Sequence, residues 1–184
     1  MKPSVPSPSF SDKHAAGPRR ALGHAAFGIH PGEGALAWLF FLEFLILTTV
    51  HFAGKSVRQA MYIDSLGAEN LPWVYLAVAV VSLPVLVIYS RLASRFRLPQ
   101  LILAFTLLHA VGLALFFYLF GDGGSWVAVA YYIWLSMAFA IAVSQFWTYA
   151  NQVFDPRQAR RLFAFIGAGG LLGAVLGGLL ALAV

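Results

Sequence analysis

Long apolar runs, broken by short polar bursts, dominate this chain. Five stretches each hold the roughly 20 mostly apolar residues that a helix needs to cross a bilayer. They run over Ala35–Gly54, Pro72–Ser90, Pro99–Phe120, Trp126–Ala150 and Leu162–Val184. The punctuation suits helices: Pro72 and Pro99 open spans, and Gly121-Asp122-Gly123-Gly124 makes a tight turn. Asp155-Pro156 reads as a helix start, with Asp at the N-cap and Pro at the first helical position.

Composition narrows the class. Of 184 residues, 60% are hydrophobic and 10% charged, with mean hydropathy +0.79. Soluble domains sit near 45–50% apolar and about 25% charged. A water-soluble protein of this composition lacks the polar side chains to cover itself, whereas apolar surface can face acyl chains. The net charge of +5 does not point to nucleic acid, because the charges fall between apolar runs, as loop charges do in membrane proteins. The expected partner is the lipid bilayer, with no nucleic acid. Cysteine is absent, which removes disulfides and Cys-based metal sites.

Residues 1–35 differ: Pro3, Pro6, Pro8, Pro18 and Pro31 stand among serines and scattered basic residues, the pattern of a flexible tail. Leu36 to Val50 runs on into a longer helical pattern without a small-residue cleavage site, so it reads as an uncleaved first span. Residues 36–184 form the transmembrane domain. Lys2, Lys13, Arg19, Arg20, Arg91, Arg95, Arg97, Arg157, Arg160 and Arg161 fall on one side, and only Lys55 and Arg58 on the other. Ten against two predicts a cytoplasmic N-terminus. The fifth span reaches Val184 with no polar flank, and the expectation is a piece of a longer protein.

Within the spans, polar residues mark candidate chemistry. His51, Lys55, Arg58 and Tyr62 follow at i, i+4, i+7 and i+11, one face if the first helix continues past Gly54. Two readings stand: a cationic stripe lining a cavity for an anion, or headgroup anchors whose charges snorkel. Glu43 lies deeper, as a site or as the partner of a basic residue on a neighbouring helix. The fourth span carries Ser136, Ala140, Ser144 and Thr148 at four-residue intervals, then Asn151 and Gln152. Such a stripe suits close packing or a cavity wall, with packing favoured for the serines. Tyr75, Ser82 and Tyr89 recur every seven residues in the second span, and His109 stands alone in the third, where an interhelical hydrogen bond is expected. The fifth span has Gly169, Gly173 and Gly177 at four-residue spacing, a contact face for another helix. No strand precedes these glycines, so a phosphate-binding loop fits poorly. There is no paired His-Glu zinc pattern, Walker loop or nucleophile elbow.

Two stretches resemble the ATP/ADP translocase (nucleotide transporter) family, which is related to the major facilitator superfamily. Lys55-Ser-Val-Arg58-Gln-Ala-Met-Tyr62, with Gly67-Ala68-Glu69-Asn70-Leu71-Pro72-Trp73, is similar to the end of that family's first helix and its Gly-Ala-Glu…Pro-Phe element. Phe146-Trp147-Thr148-Tyr149-Ala150-Asn151, then Gln158-Ala159-Arg160-Arg161-Leu162-Phe163 and Ile166-Gly167, resembles its Phe-Trp…Ala-Asn element and fifth-helix start. The likeness spans about Lys55 to Gly178. Tyr75 stands where nucleotide exchangers of the family have Lys, and Gln152 where an acidic residue is frequent. Ser94 replaces the superfamily's customary Asp.

The resulting expectation is an all-α polytopic membrane protein, with five transmembrane helices resembling the N-terminal half of a major-facilitator-type bundle. The resemblance implies twelve helices in two halves and alternating access around a midplane site. It also implies a bacterial inner-membrane protein that moves or exchanges an anionic solute such as ATP or ADP. Candidate substrate-binding residues are His51, Lys55, Arg58, Glu69, Tyr75, Asn151 and Gln152. No enzyme activity and no cofactor or metal is expected. The rival readings are a non-transporting scaffold or sensor of the same ancestry, and an intramembrane enzyme.

Overall fold

The computed structural model describes residues 33–122 and 124–182. The expected tail up to residue 32, with Lys2, Lys13, Arg19 and Arg20, lies outside them, as do Gly123 and Val184. The helices are α1 (Gly34–Leu66), α2 (Leu71–Arg95), α3 (Leu98–Asp122), α4 (Ser125–Val153) and α5 (Pro156–Leu182). A single 3-10 turn, Ala68–Asn70, joins α1 to α2, and there is no strand among the described residues. All five helices are long and apolar enough to cross a membrane, as a multi-pass membrane protein requires.

α1 continues well beyond Gly54. Residues 55–66 contain charges, which end the hydropathy window, but no Gly or Pro to end the helix before Gly67. Its 33 residues rise about 50 Å, against a hydrocarbon core of about 30 Å. The turn is closed locally. Gly67 adopts φ 83° and ψ 155°, a conformation open essentially to glycine, and its N–H donates to the Ile63 carbonyl. Asn70 Nδ2 donates to the Leu66 carbonyl at 2.5 Å, and the Tyr62 hydroxyl to the Asn70 carbonyl at 2.9 Å.

α1 lies between α4 and α5. It runs antiparallel to α4, from Phe40 beside Phe154 to Tyr62 beside Tyr132. It runs parallel to α5, from Phe41 stacked on Phe165 to Phe52 against Gly177. One core cluster joins Ala37, Phe40 and Phe41 of α1 to Phe146 and Ala150 of α4 and to Leu162, Phe165 and Ile166 of α5. At the other end Tyr62, Val74 and Tyr132 join α1, α2 and α4. α3 leans on α4, where Gly112 faces the Trp134 ring so closely that a Cβ there would overlap it.

Among the described helices, α1 and α5 share the most extensive contact. A Cβ on Gly169 would strike the Phe41 carbonyl and ring; one on Gly173, Thr48 Oγ1 and the Leu45 carbonyl; one on Gly177, the Thr49 carbonyl and Phe52. Thr48 and Thr49 hydrogen-bond back to their own helix, at 2.7 Å each to the Phe44 and Leu45 carbonyls, so α1 meets the glycines with its polar groups satisfied. Without side chains between them, the two backbones gain dispersion contacts along several turns.

Polar contacts secure the same pair at its N-terminal ends. Gln158, third in α5, accepts from the Asp155 N–H at 3.1 Å, the returning arm of a capping box. Its Nε2 donates to Glu33 Oε1 at 2.9 Å, and Arg161 lies 3.5 Å from the same carboxylate. Gln100 repeats the first device at the start of α3, accepting from the Arg97 N–H at 3.3 Å.

Candidate functional site

Arg58 is the centre of the polar groups between α1 and α4. α1 carries it eight residues before Leu66, and the helix directs its guanidinium inward, leaving the residue 8% exposed. Nη1 donates to Ser136 Oγ at 2.5 Å, and Ser136 Oγ donates to the Tyr132 carbonyl at 2.6 Å. The guanidinium also lies 4.4 Å from the centroid of the Tyr132 ring, a cation–π distance. Ser136 and Tyr132 are one turn apart on α4, so one face of that helix supplies both a hydroxyl and an aromatic plane.

These contacts solvate the cation without neutralising it. Among the described residues Arg58 pairs with no carboxylate; the one ion pair there joins Arg161 to Glu33, at the far end of α1. Arg58 Nε is buried with no hydrogen-bond partner, and so is Gln145 Nε2 on α4. A buried guanidinium with an unused donor is costly to hold, and an anion is the partner that offsets the cost most fully.

The flanking residues divide. His51 faces α4, its ring stacked on Phe139 at 3.3 Å between centroids, and Tyr62 packs on Tyr132 at 5.5 Å. Lys55 is exposed, with Nζ 5.8 Å from the Phe52 ring centroid. The structure therefore brings His51, Arg58 and Tyr62 together against α4 and places Lys55 on the outside. Tyr75 is half exposed and meets the edge of Tyr132 at 6.1 Å, beside the Arg58 centre.

Glu69, Asn151 and Gln152 are exposed and apart from it. Glu69 sits in the turn after α1, and the Asn151 amide donates to its own helix at the Trp147 carbonyl, 2.8 Å away. Of the four-residue stripe on α4, Ser136 is engaged by Arg58, while Ala140, Ser144 and Thr148 are exposed. Glu43 is exposed on an otherwise apolar face of α1. His109 packs on Trp134 of α4, ring centroids 5.4 Å apart. Gly169, Gly173 and Gly177 are buried against α1.

Tyr132 belongs to this region without having been singled out from the sequence, and Gln145, another buried polar residue of α4 not singled out, lies about 14 Å farther along that helix from Ser136. Tyr132 extends the Ser136 stripe by one turn, and Gln145 is a lone amide within an apolar run. Both signals are present but weak, because neither shows which face α4 turns toward α1. No group of His, Cys, Asp or Glu among the described residues could hold a metal ion. The chain matches no protein-family model, no curated protein and no solved structure.

Proposed function

We propose that this protein is a membrane transporter of the major-facilitator type whose solute is an anion, with Arg58 as the principal anion-binding residue. The observation that supports this reading is the buried Arg58 guanidinium, unpaired by any carboxylate among the described residues and with Nε unused. Ser136 and Tyr132 hold the cation in one orientation, and Tyr75 supplies a further polar group beside Tyr132. Arg58 is occluded in this arrangement, so a solute reaches it only when α1 parts from what covers it. Alternating access supplies such an opening.

Within the anions, the resemblance of Lys55–Trp73 and Phe146–Gly167 to nucleotide transporters favours a nucleotide. Tyr75 and Gln152 replace charges that nucleotide exchangers of that family use, which favours a solute other than ATP or ADP. In the same reading the arginine-rich ends of the helices face the cytoplasm and Gly67 faces the opposite side.

Uptake of labelled nucleotides and other anions into vesicles carrying the full-length protein tests the proposal. Loss of one charged hydrogen-bonding partner in a desolvated site costs on the order of 1–3 kcal/mol. Arg58→Gln is expected to weaken solute binding about 5- to 150-fold, and Lys55→Gln to change it far less. Saturable transport of a neutral sugar or a cation, indifferent to Arg58→Gln, refutes the anion assignment.

A further inference from the structure

Two apolar cavities lie along the side of α3 that faces α2 and α4. The outer one, about 440 Å³, lies between the end of α2 and the start of α3, lined by Leu92, Phe96, Gln100 and Ala104. The inner one, about 350 Å³, continues between α2, α3 and α4, past Val85, Met137 and Ile141 to His109 and Trp134. Phe105 lines both, so the two cavities adjoin there and together make up a groove.

The groove has a charged end and a dry end. Arg91 and Arg95 immediately precede Leu92 and Phe96, two lining residues of the outer cavity, and Arg97 immediately precedes α3; all three are exposed and lie next in sequence to the lining rather than in it. Farther in, His109 and Trp134 bring the only polar atoms to a lining of aliphatic, aromatic and Met side chains. From Gln100 to His109, α3 rises about 14 Å, close to the depth of one leaflet in a hydrocarbon core of about 30 Å.

We propose that this groove binds an anionic phospholipid, with its headgroup at Arg91, Arg95 and Arg97 and one acyl chain along Phe105 toward Trp134. The occupant follows from three properties. The groove lies between helices fit to cross a membrane, so hydrocarbon is the medium beside it. Its depth matches one leaflet, and the charge at its mouth has the sign that attracts phosphate. A soluble anion would satisfy the arginines but leave the apolar length unfilled, and a neutral lipid would do the reverse. The assignment does not depend on what, if anything, the protein transports.

Trp134 provides the readout, because a bromine-bearing acyl chain in contact with an indole quenches its emission. The purified protein, in mixed micelles, is titrated with dibrominated phosphatidylglycerol and with dibrominated phosphatidylcholine of the same chains. The Trp134 share of the signal is the part lost in Trp134→Phe. Half-maximal quenching is expected at lower mole fraction for phosphatidylglycerol, and the preference should shrink about five-fold for each arginine changed to glutamine. Ala104→Phe, at an exposed position in the outer cavity, should reduce quenching by both lipids. Equal quenching by the two lipids in the unaltered protein overturns the proposal. So does a preference that survives loss of all three arginines, or full quenching in Ala104→Phe.

Discussion

Arg58 and Lys55 are three residues apart on one helix face, yet one is buried and the other exposed. The spacing identified the sector, within about 60° of helix rotation, but not which edge of it α4 covers. Burial sets what each substitution costs. Ser136→Ala removes the acceptor of a buried guanidinium and should lower stability by about 1–3 kcal/mol. Ser144→Ala, at an exposed position, should stay within about 0.5 kcal/mol. Thermal unfolding of the purified variants in detergent compares them; equal midpoints would show that the Arg58–Ser136 bond contributes nothing. Gly67 offers a backbone counterpart. Alanine there must adopt φ 83° and meet the Glu69 carboxylate, so Gly67→Ala should cost about 1–3 kcal/mol. Gly124→Ala, where φ is −72°, should be close to neutral by the same measurement.

Among the helices, α5 allows the sharpest contrast. Gly173 and Gly178 are five residues apart, one pressed on the α1 backbone and one with nothing within 4 Å of an added Cβ. Alanine relieves the entropic penalty of a helical glycine, about 1 kcal/mol, at either position. At Gly173 that gain is overrun, because a backbone carbonyl cannot rotate away as a side chain can; overpacking of this kind costs about 1–3 kcal/mol. Gly178→Ala should therefore raise the melting midpoint and Gly173→Ala lower it, and a rise in both would show that the backbone contact at Gly173 tolerates a Cβ. The five helices themselves were legible as apolar length, since the bilayer demands that length whatever packs on it. The last three turns of α1 were not, because Lys55 and Arg58 end a hydropathy window without ending a helix. Nor could the sequence show that α1 lies between α4 and α5, for glycine spacing marks a contact face without naming its partner. The isolated His109 packs on Trp134, a contact that its sequence context did not specify.

For the molecule as a whole, the basic residues bear directly on orientation. Arg91, Arg95, Arg97, Arg157, Arg160 and Arg161 cluster at the α2–α3 and α4–α5 connections, while Gly67 and Gly124 mark the opposite end. The positive-inside rule then expects reporter fusions after Arg97 to read as cytoplasmic and fusions at Gly124 as extracytoplasmic. The reverse pattern at both sites would invert the topology. The glycine seam has a further consequence for the order in which the chain is made. α1 is made well before the surface built to receive it, which is on α5, a helix that begins at Pro156, some 90 residues after α1 ends. Throughout synthesis of α2, α3 and α4, the helix must wait in the bilayer with Phe41, Leu45, Thr48 and Phe52 uncovered. At about 5–20 residues per second that wait lasts several seconds, long beside the time a helix takes to form. Until α5 follows, the side of α1 that the glycines will cover is open to a wrong neighbour.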